Sequence, residues 1–273
     1  SHASYQIGRG WGFGIHEALD QVGAFIGPLI FAVIFAQRQS FRDGFSILWI
    51  PALLSLLALL LARLRVPDPE EFENPSSSKE NDHNKNNSTL PQVFWFYSAF
   101  TFLSVAGFAN FQIISYHWVT QSIVPVAQIA VFYGVAMGVD ALAALIIGKT
   151  YDKIGLLSLL IVPLISLPLP FLAFSDQYTI AMLAAVLWGI IMAVHETVMR
   201  AAIADITSGG KRAFAYGIFN TVYGAAWFVS GAFLGFLYDQ SRIWLLIAIV
   251  TLEVLALLVF PFVLKFKNQK PTA

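Results

Sequence analysis

The stretch Arg9-Gly-Trp-Gly-Phe-Gly-Ile15 returns near the other end of the chain as Arg212-Ala-Phe-Ala-Tyr-Gly-Ile218. Arg9 aligns with Arg212, Gly14 with Gly217, Ile15 with Ile218 and, further on, Phe25 with Phe228. Trp11 and Phe214, like Phe13 and Tyr216, keep an aromatic ring in place. Each copy opens a long apolar stretch rich in small residues. The offset of 203 residues, from Gly14 to Gly217, is far longer than the ~20–50-residue period of a solenoid. It marks two related halves.

Composition sets the solvent. The chain is 58% hydrophobic and only 12% charged, against about 25% charged in a soluble domain. Its apolar residues come in long blocks, so it is expected to be an all-α polytopic membrane protein. A crossing helix needs roughly 20 apolar residues. Eight such spans are predicted, at 14–37, 43–64, 93–117, 125–149, 156–174, 178–203, 213–237 and 243–265. Pro163, Pro168 and Pro170 fall in the fifth, where neighbouring helices can re-satisfy the freed carbonyls. Cysteine is absent, which excludes disulfides, thiolate metal sites and cysteine nucleophiles. The net charge is zero, so no basic field attracts nucleic acid. Ser1 to Gly14 lacks the apolar core of a signal peptide. With no initiator Met either, a fragment is expected.

Residues 67–91 are polar, charged and without periodicity, and read as a disordered cytoplasmic linker. They divide residues 1–66, two spans, from residues 92–265, six spans; 266–273 form a tail. Asn86-Asn-Ser88 and Asn87-Ser-Thr89 match the glycosylation pattern, expected by chance in so Asn-rich a linker. If the N-terminus is cytoplasmic, 13 of the 16 Lys and Arg residues fall on the inside. The positive-inside bias therefore puts both termini and the linker in the cytoplasm of a multi-pass cell-membrane protein.

Two local patterns carry more. Gly148-Lys-Thr-Tyr-Asp152-Lys-Ile-Gly155 joins two spans through a tight turn. Its glycines permit the turn, and Asp152 can accept hydrogen bonds from a neighbouring helix N-terminus. Gly14, Gly23, Gly27 and Pro28 are spaced to let two helices approach closely. These residues resemble the major facilitator superfamily of secondary transporters. The Gly148–Gly155 turn is similar to the family signature between the second and third helices of a half. The Gly14–Pro28 pattern resembles the fifth-helix signature associated with proton-coupled export, although Phe31-Ala32 stand where the family pattern has Gly-Gly. On this resemblance the eight spans correspond to helices five to twelve: two of the first half and a complete second half. Helices one to four are expected in cis beyond this chain.

Ionisable side chains inside a bilayer cost about 2.5–3.5 kcal/mol each on insertion scales, and mark candidate sites. His16 and Asp20 share one face of the first span, Glu17 and Gln21 another. The His16–Asp20 pair suits either a proton carrier or a structural lock. Asp140 lies about 13 Å inside its span at ~1.5 Å per residue. Glu196 and Arg200 are four apart and are expected to pair, with Asp152 as another partner for Arg200. His195-Glu196 opens like a zinc-protease motif, but Met199 stands where the second His would be, so no metal site is expected there. Proton-coupling candidates are His16, Glu17, Asp20, Asp140 and Glu196. Glu253 is a fifth buried-span acid beside Glu17, Asp20, Asp140 and Glu196, expected to be structural or partner-facing. Tyr216, Asn220, Tyr223, Trp227 and Ser230 fall on one helix face. With Asn110, Gln112 and His195, the residues Asn220, Tyr223 and Trp227 could line a cavity for an apolar or amphiphilic small molecule. Gly148, Asp152, Gly155 and Arg200 form a candidate cytoplasmic latch.

The sequence thus points to alternating-access transport of a small molecule, coupled to protons. A non-transporting membrane sensor or scaffold that keeps the fold is the alternative. Neither a cofactor nor enzymatic chemistry is expected, since no P-loop lysine, zincin pair or thiol is present.

Overall fold

The structure, a computed structural model, describes residues 7–38, 40–66 and 90–267. Among these residues every regular element is helical. Helices suit these apolar spans, because in hydrocarbon a helix satisfies each backbone N–H and C=O within its own segment.

The first part holds α1 (Arg9–Arg38), α2 (Phe41–Ile47) and α3 (Trp49–Arg65). The second opens with α4 (Gln92–Ala106), α5 (Phe111–Thr120) and α6 (Val126–Ile154). Gly155 ends α6 with φ +60°, a conformation suited to glycine, and a 3₁₀ turn (Gly155–Leu160) follows. Pro168 and Pro170 then leave only two short helices, α7 (Ile161–Ser166) and α8 (Leu169–Ala173), because proline supplies no N–H to the helical ladder. α9 (Tyr178–Ala193) passes through a π turn (Val194–Val198) into α10 (Met199–Ile206). α11 (Gly209–Val229) does the same through Ser230–Leu234 into α12 (Gly235–Gln240), and α13 (Arg242–Lys267) closes the described chain.

Among the described residues six stretches are long and apolar enough to cross a membrane: Phe45–Arg65, Gln92–Thr120, Gln128–Ala173, Tyr178–Ile206, Gly210–Gln240 and Arg242–Lys267. The expected spans 125–149 and 156–174 fall in one run, Gln128–Ala173. The expected span 14–37 lies in α1, part of whose side chains fall outside the described residues, Gly27 and Pro28 among them. Most of the expected linker (67–89) and of the tail (268–273) also lies outside the described residues.

The core belongs to the second part. Phe94, Tyr97, Phe100, Phe108, Trp118 and Phe132 are buried there. Buried rings with polar tips usually have those tips bonded. Tyr97 Oη donates to the Met199 carbonyl at 2.7 Å, Trp118 Nε1 to Ala173 at 2.7 Å and Trp188 Nε1 to Ala109 at 3.1 Å. By contrast α3 has no buried residue. α1 lies along α6 and also meets the Val194–Val198 turn and α10. It is the element through which the first part engages the second.

Candidate functional site

The α1–α6 seam is tightest at one end. A Cβ on Gly10 would collide with the Gly148 carbonyl, and one on Gly148 with the Gly10 carbonyl. A Cβ on Gly14 would stand 2.6 Å from the Ala144 oxygen. Backbone meets backbone along this stretch, which only glycine allows. At Gly23 the same test meets no described residue within 4 Å. Gly14 therefore packs in the seam and Gly23 does not.

Polar groups close the tight end. Asp152 accepts the backbone N–H groups of Gly10 (to Oδ1) and Trp11 (to Oδ2), both at 2.8 Å. These are free donors of the first turn of α1, at the positive end of its dipole. The Arg9 guanidinium donates to Asp205 Oδ1 at 2.5 Å and to the Ala204 carbonyl. Tyr151 Oη donates to the other oxygen of Asp205, also at 2.5 Å. Lys149 Nζ lies 4.2 Å from the centre of the Trp11 ring. Gly148 and Asp152 thus flank the start of α1, whereas a Cβ on Gly155 would meet Lys267 Nζ at 3.5 Å. Arg9, Tyr151 and Asp205 complete the closure. Arg9 stands out in the sequence as the first residue of the repeat, whereas Asp205 carries no signal beyond its place before the Thr207-Ser-Gly-Gly turn.

Two turns further along α1 the seam holds acids. One carboxylate oxygen from each of Glu17, Asp140 and Glu196 lies within 4.8 Å of the other two. Glu17 and Asp140 are fully buried. Gln21 Nε2 donates to Glu17 Oε1 at 2.7 Å and reaches Glu196 Oε2 at 3.3 Å. Arg200 stands 3.8 Å from Glu17 Oε2, so its ion-pair contact crosses to α1. Neither oxygen of Asp140 has a hydrogen-bond partner among the described residues. Glu196 sits in the π turn, a distortion that recurs at functional sites. His16 and Asp20 occupy the exposed face of α1.

Beyond the acids lies a ring cluster. His195 is buried, edge-on to Phe108 (centroids 5.1 Å apart) and to Tyr223 (6.2 Å). Trp227 stands 6.1 Å from Phe108 and 6.3 Å from Tyr223. Both ring nitrogens of His195 and the Tyr223 hydroxyl lack a hydrogen-bond partner among the described residues. Asn110 caps α5 through Ile113 N at 3.0 Å, and its amide nitrogen would stand 3.2 Å from a Cβ on Gly231. Gln112 and Asn220 are exposed and do not join the cluster.

A family model described as Major Facilitator Superfamily matches residues 8–231 and 124–273. Uncharacterised proteins of Mycobacterium bovis and Mycobacterium tuberculosis are 36% identical over 273 residues, 100% of this chain. The chain spans 66% of the length of these relatives. No solved structure matches. The glycine-packed seam between α1 and α6 is a feature of helices that pack in lipid. The chain belongs to the Major Facilitator Superfamily of membrane transporters.

Proposed function

We propose that the full-length protein carries a small molecule across the cell membrane by alternating access, coupled to protons. The observation that carries this reading is the placement of Glu17, Asp140 and Glu196. Glu17 comes from the first half; Asp140 and Glu196 come from the second. Arg200 stands beside Glu17, so the cluster carries more negative than positive charge whenever all three carboxyl groups are ionised. Protons entering or leaving it change the attraction across the seam, which ties protonation to rocking of the halves. The candidates His16 and Asp20, on the exposed face, serve as relays to the cluster.

The substrate reading rests on His195, Tyr223, Trp227 and Asn110. Their rings and unused polar atoms suit an apolar or amphiphilic molecule with one or two hydrogen-bonding groups. The Asp152 and Arg9 contacts act as a latch closing one end. The positive-inside bias makes that end cytoplasmic, with both termini on the same side. The break at Gly155 divides Gln128–Ala173 into two crossings, which with α1 gives eight. Export is the direction favoured by the resemblance of Gly14–Pro28.

The test is flux in proteoliposomes containing the full-length protein, with an imposed pH gradient and a panel of amphiphilic fluorescent dyes. Gradient-driven dye movement that collapses in Glu196→Gln is expected. Dye movement indifferent to the gradient would end the proton-coupling reading. No movement of any amphiphile, with His195→Ala and Trp227→Ala leaving cellular phenotype intact, would favour the sensor alternative.

A further inference from the structure

We infer that Glu17, Asp140, Glu196 and Gln21 form a binding site for a divalent cation of calcium's size. This deepens the coupling reading by giving the same cluster a second ion, and it rests on that reading only for its role in transport.

The donors are all oxygen. Carboxylate and amide oxygens select hard cations, whereas nitrogen or sulfur would favour softer metals. The buried His195 ring faces Phe108 and Tyr223. The three carboxylate oxygens lie within 4.8 Å of one another. An ion at their centre would have room for bonds of ~2.3–2.6 Å, the range for calcium, while magnesium's ~2.0–2.1 Å is a poorer fit.

Two observations point to a ligand beyond the acidity itself. Asp140 is fully buried and both its oxygens lack a hydrogen-bond partner among the described residues. A carboxyl group so placed has exchanged water for nothing, a large cost in a bilayer. Gln21 is only 7% exposed. Its Nε2 contacts Glu17 and Glu196, yet its Oε1 has no hydrogen-bond partner among the described residues either. A flip of this amide, which exchanges its nitrogen and oxygen, would present a neutral oxygen donor to the cluster.

Charge selects the valence. Three carboxylates against the Arg200 guanidinium leave two negative charges, which one divalent ion or two protons would neutralise. Cation and protons therefore compete for one cluster. The other ionisable groups in its field are Asp20 and Tyr133 near Asp140, and Tyr223 near Glu17 and Glu196. Such a site also differs from the His195-Glu196 zinc-protease pattern, since its ligands come from three helical segments on both sides of the seam.

The experiment is equilibrium binding of radioactive calcium, and of manganese in parallel, to the full-length protein in lipid nanodiscs. One saturable site per protein is expected. Binding should weaken at least ~10-fold when pH falls from about 7.5 to about 5.5, because ligand protonation competes with metal. Asp140→Asn should weaken it by ~100-fold and Gln21→Leu by ~10-fold, with Glu253→Gln unchanged. No saturable binding below about 10 mM, far weaker than known carboxylate sites, would overturn the site even if pH-driven transport is intact. Binding that Gln21→Leu leaves untouched would also overturn it, and that variant keeps all three acids should Asp140→Asn fail to fold. Saturable binding together with pH-independent flux would uphold the cation site and end proton coupling.

Discussion

Two buried acid sites in this protein have opposite surroundings. Glu17, Asp140 and Glu196 meet where α1 of the first half lies on α6 and the π turn of the second. Glu253, on α13, is just as buried. Its neighbours are Ser104 of α4 and Ser166 of α7, and its Cγ lies 3.4 Å from the position of a Cβ on Gly107. All of these belong to the second half. Both sites bear the cost of a carboxyl group in lipid, but only the first would be assembled and taken apart by the proposed rocking of the halves. In the proposed mechanism, position across the seam, and not burial alone, is what would make an acid a coupling residue.

The sharpest way to break this contrast is to neutralise each site in turn. In the proteoliposome assay Asp140→Asn is expected to lower gradient-driven flux by ~100-fold, in the range usual for a missing proton-transfer group. Glu253→Gln keeps the buried shape and should stay within ~3-fold, as expected of a residue remote from the transfer step. Equal losses in the two variants would remove the distinction.

A second contrast runs along α1 itself. Gly148→Val pushes branched carbon into the backbone of Gly10. Overpacking of this kind costs ~1–3 kcal/mol, here charged only to the state in which the seam is closed. Spin labels on α1 and α6 should report a shift toward the separated state of roughly 5- to 150-fold in population. Gly23→Ala should leave the distances unchanged, because no described residue lies within 4 Å of its added methyl. A shift in both variants would mean that the glycines set helix curvature instead of contact.

Much of this was legible in the sequence, and the remainder has physical reasons. The all-helical membrane architecture follows from apolar blocks, because lipid admits few other structures. Asp152 could be read as a helix-end acceptor because its glycine-flanked turn has one geometry. The acids of α1 were harder. Spacing places His16 with Asp20 and Glu17 with Gln21, yet which face turns inward depends on how Gly10 and Gly14 dock against α6. The structure buries Glu17 and Gln21 and exposes His16 and Asp20. Glu196 and Arg200 look like a pair four apart on one helix. The π turn at Val194–Val198 changes the residue count per turn, and Arg200 instead reaches Glu17 across the seam. Gln112 and Asn220 fit the pattern of a polar face but point to exposed surface, a tertiary fact that periodicity does not carry.

The smallest expected effect separates the two kinds of bond at the latch. Asp152 binds backbone N–H groups of α1, whereas Arg9 binds a carboxylate and a carbonyl near the end of α10. Asp152→Asn keeps an acceptor oxygen but removes the charge facing the helix dipole, worth about 0.3–1 kcal/mol. Asp152→Ala removes both acceptors and should cost about 1–2 kcal/mol, the scale of a lost N-cap. If the latch closes one state only, Asp152→Ala opens it several-fold more often than Asp152→Asn, read as faster labelling of a cysteine placed at position 11. Raising salt should speed labelling of the wild type toward the Asn variant's rate, because screening weakens the half-exposed charge contacts first. Equal labelling in all three proteins would show that glycine packing alone holds the seam, and that the polar contacts at its mouth do not set how often it opens.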